Sequence, residues 1–164
     1  MATREPVEVT VYTGGQEIVA GTLWIHEQKT ETATFRYSDT YLASPVSYDL
    51  DPALPKSAGV FQSRPGRPLF SAFADSAPDR WGQNLMRREE RERAATESTT
   101  PRSLRNGDFL LGVRDDTRQG AIRFRRPGTS DYHSTHRNAV PRLIELPRLL
   151  NAVDHLDDGM DSAI

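Results

Sequence analysis

Cysteine is absent from the 164 residues, which excludes disulfides, thiolate metal sites and cysteine nucleophiles, and nothing in the chain argues for an oxidising compartment. Lysine is nearly absent too: Lys29 and Lys56 aside, the basic side chains are all arginine. Charge of one sign is not in excess. The net charge of −2 gives the molecule no strong field to draw nucleic acid or an acidic membrane. No window approaches the roughly 18 apolar residues that span a bilayer. The opening Met1-Ala2-Thr3-Arg4-Glu5-Pro6 has no apolar core of a signal peptide, so the cytoplasm is the expected location. Apolar content of 36% beside 27% charged residues suits a small domain with much surface.

The first third reads as β structure. Val7, Val9 and Val11 alternate with Glu8, Thr10 and Tyr12, the period of a half-buried strand, and Gly14-Gly15 can supply the positive φ angles of a hairpin. Ile18, Ala20, Leu23 and Ile25 lead the chain back. Ala33, Phe35 and Tyr37 alternate again, which predicts an antiparallel meander with its apolar side covered by later segments of the chain. Ser38-Asp39-Thr40-Tyr41-Leu42-Ala43 predicts one short helical turn. After it, Val46–Leu50 is a candidate strand and Lys56–Arg67 a loop, in a region punctuated by five prolines from Pro45 to Pro68.

Beyond it the pattern turns helical. Pro68 can open a helix that carries Leu69, Phe70 and Phe73 on a single face. Ser76-Ala77-Pro78-Asp79 predicts a second start, with Ser76 as cap, Pro78 in the first turn and Trp81 and Leu85 facing inward. From Arg87 to Arg93 that helix is charged all round, with Glu89 and Arg93 spaced for an i,i+4 pair. Ser103–Leu111 predicts a short helix ending at Gly112, and Gly120–Arg125 a strand with Ile122 and Phe124 on one side. The expected fold class is α+β: an N-terminal antiparallel β meander packed against short helices, then a later strand and a C-terminal helix. The organisation expected is a domain over 1–126, a linker over 127–142, and a helix over 143–164 with Leu146, Leu149, Leu150, Val153 and Leu156 at helical spacing. The apolar ending Met160-Asp161-Ser162-Ala163-Ile164 suggests a cut through a longer protein.

Chemistry is hard to place. Neither G-x-G-x-x-G nor G-x-x-x-x-G-K-[ST] occurs, and H-R-D, D-F-G, G-x-S-x-G and S-x-x-K are missing. His133 and His136 stand as H-x-x-H near Asp131, but in a Gly/Ser/Thr-rich stretch without further ligands, so ordinary loop histidines are favoured over zinc. Asp75 and Asp79 have the spacing of an acid/base couple, yet a boundary between helices needs such residues as caps. No catalytic, cofactor-binding or metal residue is therefore assigned. Arg87, Arg88 and Arg91, with Arg123 and Arg125, are the candidate partner or phosphate contacts. Glu89, Glu90 and Glu92 interleave with the first three, which favours a solvated, self-paired face.

Two stretches carry more. Phe70-Ser71-Ala72-Phe73-Ala74-Asp75-Ser76-Ala77-Pro78-Asp79-Arg80-Trp81-Gly82 resembles the F-x-D-x-x-P-D-x-W-G signature of the N-terminal part of HipA-like serine/threonine kinase toxins. Asp108-Phe109-Leu110-Leu111-Gly112-Val113 and then Arg118-Gln119-Gly120-Ala121-Ile122-Arg123-Phe124 resemble that family's D-x-L-L-G-V and R-Q-G-A-L-R-F, with Ile122 in place of leucine. Phe35-Arg36-Tyr37, Tyr41-Leu42, Tyr48 and Leu50 also fit its opening β segment. The resemblance implies a type II toxin–antitoxin system whose complete toxin is a kinase using ATP and Mg²⁺, held by a HipB-like DNA-binding antitoxin. It implies partners in that antitoxin and in the kinase body, DNA reached through the antitoxin, and dimer contacts; no membrane partner is expected from the composition. The family's ATP loop and catalytic aspartates lie C-terminal to the region matched, so none is carried over. Phe70, Phe73, Asp75, Pro78, Asp79, Trp81 and Gly82 are expected to form a structural clasp, with both phenylalanines and Trp81 filling the seam between sheet and helices. A stand-alone small protein that regulates a separate kinase is the alternative; a DNA-binding module is a third.

Overall fold

The computed structural model describes residues 4–64 and 66–133. The predicted C-terminal helix and most of the linker lie outside the described residues. Strands β1 (Val7–Thr13), β2 (Gln16–Glu27), β3 (Glu31–Tyr37), β4 (Phe61–Gln62) and β5 (Ile122–Arg125) form one antiparallel sheet in the order β4-β3-β2-β1-β5. Helices α1 (Asp39–Ala43), α2 (Ser71–Ala74), α3 (Arg80–Thr96) and α4 (Asn106–Gly112) complete the α+β fold. Residues 127–133, read as the start of a linker, turn back so that Tyr132 bridges Arg125.

The predicted meander forms for the predicted reason. Val7, Val9 and Val11 are buried, and Gly14 and Gly15 take φ of +58° and +78° in the two-residue turn that pairs Thr13 with Gln16. The period of two breaks in β2, where Ala20 and then Leu23 face the core. A bulge causes this: Val9 pairs Gly21 while Thr10 pairs Val19, leaving Ala20 as the extra residue. Gly21 is obligatory, because a Cβ there would stand 2.1 Å from the Arg36 carbonyl oxygen.

Ser38 caps α1, accepting from the Tyr41 N–H at 3.1 Å while donating to the Val19 carbonyl at 2.6 Å. The rings of Tyr37 and Tyr41 stack at 5.4 Å. The candidate strand Val46–Leu50 is instead irregular chain. The Tyr41 hydroxyl bonds both the N–H and carbonyl of Tyr48, and the Tyr37 hydroxyl accepts from Leu50 N–H at 3.0 Å and donates to Leu54 at 2.6 Å. Two phenols thus satisfy backbone groups that a ladder would otherwise take. Burial pushes the Tyr37 phenol up to about 12, so it stays a donor. The missing edge strand is β4, inside the segment read as loop, where Phe61 pairs Phe35.

Phe73 is the centre of the core. It is fully buried and packs edge-on against Phe35, Phe70 and Phe124 at 5.4, 5.6 and 5.8 Å, joining α2 to β3 and β5. Helix α2 begins at Ser71, not at Pro68. Phe70 occupies its cap position and has no acceptor, and Asp51 supplies one from elsewhere: its two oxygens accept from Ala53 and Ala72 N–H at 2.7 and 2.8 Å. Glu31 does the same for α4, accepting from the Asn106 and Gly107 N–H groups at 3.0 and 2.9 Å. Buried carboxylates on distant segments therefore anchor both short helices.

Helix α3 departs most from the sequence reading. Asp79, not Ser76, is its cap, accepting from Gly82 N–H at 2.9 Å, while the Ser76 hydroxyl donates to Ala72 O. That start turns Gly82, Met86, Glu90 and Ala94 inward at i,i+4 spacing. Trp81, about 100° round the helix from Gly82, is 60% exposed, and Leu85 is only half-buried. The charge that runs all round the helix from Arg87 to Arg93 is not all solvated either: Glu90 is 2% exposed. It accepts from Arg93, from Arg102 N–H at 2.9 Å and from the Arg102 guanidinium at 3.3 Å. Arg93 pairs with Glu90 at i,i+3 and with Glu97 at i,i+4.

Candidate interaction surface

The two sequence signatures meet in space. Residues 74–79 with Trp81 and Gly82 form one wall of a pocket of about 440 Å³, and Val113, Arg118 and Gln119 form the other. Arg118 joins them. Its side chain, 5% exposed, donates to the Ser76 carbonyl at 2.9 Å and the Val113 carbonyl at 3.1 Å, and lies 4.8 Å over the Phe124 ring. Burial pulls its guanidinium down to about 10, with Asp115 opposing that shift, so it remains charged at neutral pH. The sequence places Arg118 in a motif without giving it a task. Its partners, 42 residues away at Ser76 and 5 away at Val113, leave no local pattern to read.

The clasp residues divide into two groups. Phe70 and Phe73 fill the core as expected. Pro78, Asp79 and Gly82 build the first turn of α3: a Cβ on Gly82 would stand 2.7 Å from Cβ of Pro78, so the close approach that Gly82 permits is by its own preceding turn. Asp75 ends α2 and is exposed. Trp81 does not fill the seam. It stands at the pocket's lip with most of its ring in solvent, because the Asp79 cap gives the inward position to Gly82.

Most candidate contact arginines are engaged within the domain. Arg87 lies 4.7 Å over the Phe109 ring and donates to Asn84 and Gln83. Arg88 pairs with Glu92 at 2.8 Å, the self-paired face expected. Arg123 reaches Asp115 at 3.1 Å and the Gly120 carbonyl at 2.7 Å, and Arg125 pairs with Glu8 and Glu17 across the sheet. Arg91 is exposed on α3. These side chains stand on different elements and form no single cradle.

Asp75 and Asp79 sit on the pocket wall as helix-end residues. Among the described residues no group of three or more histidine, aspartate or glutamate side chains stands close enough to hold a metal ion. His136 lies outside them. No helix among the described residues is long and apolar enough to cross a membrane.

The sheet, its capped helices and the meeting of two signatures define a small α+β domain whose sequence-marked residues serve packing and one exposed surface. A family model described as the HipA N-terminal domain matches residues 9–112, and the chain belongs to that family. Comparison with curated proteins and with solved structures finds no match. The family match takes in Trp81 and stops before Arg118 and β5, which close the pocket and the sheet.

Proposed function

We propose that this chain is the scaffold and interaction region of a HipA-like serine/threonine protein kinase toxin, and that the face around Trp81 docks it against the kinase body. Membership of the HipA N-terminal domain family supports the setting. The observation that carries the docking is the indole of Trp81, 60% exposed at the lip of a pocket framed by both signatures. A motif residue that large, left in water on a capped helix turn, contributes little to its own fold and much to a partner's surface. The groups that handle ATP and Mg²⁺ belong, on this reading, to the kinase body, and a HipB-like antitoxin brings DNA and any dimer contact. The reading places the system in the cytoplasm. It holds equally if the kinase body is a separate polypeptide that this chain regulates.

The test is a pair of titrations. Calorimetry with a HipA-type kinase body should give saturable binding that Trp81→Ala weakens by about 2 kcal/mol or more, with the melting temperature of the chain unchanged. MgATP titrated into this chain alone should give no heat of binding. Micromolar MgATP affinity, or kinase binding indifferent to Trp81, would contradict the proposal.

A further inference from the structure

A second pocket shares no lining residue with the Trp81 face. About 480 Å³ in volume, it opens between residues 4–7, α3 and α4. That is room for a small organic ligand. Its floor is apolar: Val7, Met86 and Leu111 are buried there.

Its walls are polar and their charges are unevenly spent. Two carboxylates on the wall are engaged inside the fold. Glu90 takes Arg93 and Arg102, and Asp108 takes Arg4 at 2.7 Å together with the Arg105 N–H at 2.8 Å. Glu5, also on the wall, is exposed. The cations retain capacity. A guanidinium carries five N–H donors, and Arg102 keeps 62% of its side chain in solvent despite its bond to Glu90. Arg126 also lines the pocket and is exposed. His133 lines the same pocket half-buried, and its Nε2 is fully shielded with no hydrogen-bond partner among the described residues. A shielded ring nitrogen without a partner beside a roomy polar pocket gains a hydrogen bond once a ligand oxygen displaces what covers it.

We propose that this pocket binds an oxyanion carried on an apolar body, a carboxylate or phosphate ester whose charged end meets Arg102, Arg126 and His133 while its body lies on Val7, Met86 and Leu111. Guanidinium groups suit both oxyanions, which they can grip with two parallel N–H donors. The unliganded His133 faces Arg4, Arg118 and Arg126 as well as Glu5. Its burial chiefly, and those arginines next, hold its protonation below the usual histidine range, with Glu5 opposing. An oxyanion at Nε2 favours the imidazolium. Binding therefore draws a proton onto His133, is tighter at low pH, and weakens as pH rises through the ligand-bound value.

The experiment is an NMR titration of the full chain at constant ionic strength, following the His133 ring with phenyl phosphate, benzoate and inorganic phosphate as probes. The expected result is a saturable shift with either organic anion, His133 titrating at higher pH in its presence, and weaker binding of inorganic phosphate, which lacks the apolar body. Arg126→Ala, an exposed position, should cut the affinity about tenfold with an unchanged melting temperature. His133→Gln should abolish the pH dependence of binding, read by calorimetry. A shift that fails to saturate below about 10 mM for every probe, or that is unmoved by both substitutions, overturns the proposal. Inorganic phosphate binding as tightly as phenyl phosphate would remove the apolar floor from it and overturn it in that form. The Trp81→Ala variant should bind the probes normally, which separates this site from the kinase-docking face.

Discussion

Glu90→Gln removes one charge and almost no volume from the inner face of α3, so its effect isolates what the buried carboxylate does. Hydrogen bonds from Arg93 chiefly, opposed by burial and reinforced by the backbone and side chain of Arg102, pull the Glu90 carboxyl from 4.5 down to about 2. Unscreened, such a shift corresponds to about 3 kcal/mol in favour of the folded state. Arg102 stands 62% in solvent and Arg93 36%, and that screening reduces the contribution to about 1–2 kcal/mol. The sign is set by the lowered value: the stabilisation is full above the unfolded-state value near 4.5 and is lost as pH falls toward 2. At pH 7 the variant should melt about 2–8 °C below the parent by circular dichroism. That gap should close steadily between pH 4.5 and pH 2. Equal melting temperatures at pH 7, or a gap that persists unchanged at pH 2, would refute the reasoning.

Other substitutions probe the rest of the framework. Phe73→Ala empties the contact shared by Phe35, Phe70 and Phe124 and should cost about 3–5 kcal/mol, read as a lower urea midpoint. Gly21→Ala puts a Cβ 2.1 Å from the Arg36 carbonyl oxygen and should part β2 from β3, giving a chain without a cooperative melt. Arg118→Met keeps an unbranched side chain over Phe124 but leaves the Ser76 and Val113 carbonyls without their donor; a loss of about 1–3 kcal/mol is expected from chemical denaturation.

The meander β1–β3 and α1 were legible because their signals are local: valines at period two, a Gly-Gly turn, a serine one residue before a helical turn; the edge strand β4, two residues long, has none. The bulge was half visible, since Ala20 and Leu23 cannot share a face of a regular strand. Helix α3 was legible as a helix and misread in phase. Ser76, Pro78 and Asp79 all satisfy rules for a helix start, and a shift of three residues in the cap turns a different stripe inward. Hydrophobicity then favoured Trp81 and Leu85, whereas the observed stripe of Gly82, Met86, Glu90 and Ala94 holds one large apolar side chain and a buried acid. The i,i+4 spacing of those four was present to be read. Glu31 and Asp51 had no such signal, because each caps a helix that begins 75 or 20 residues further along the chain. Of the candidate contacts, Arg88 could be assigned to its own helix by the spacing to Glu92, while the Arg123 and Arg125 partners come from turn and strand pairing.

Hydrogen–deuterium exchange on the chain, alone and mixed with a HipA-type kinase body, bears most directly on the claim that Trp81 and its pocket are where this domain docks. The account predicts new protection over residues 74–82 and 118–119, with the outer face of the sheet unchanged. Protection confined to the sheet or to α4, with the turn around Trp81 exchanging as freely as before, would contradict it.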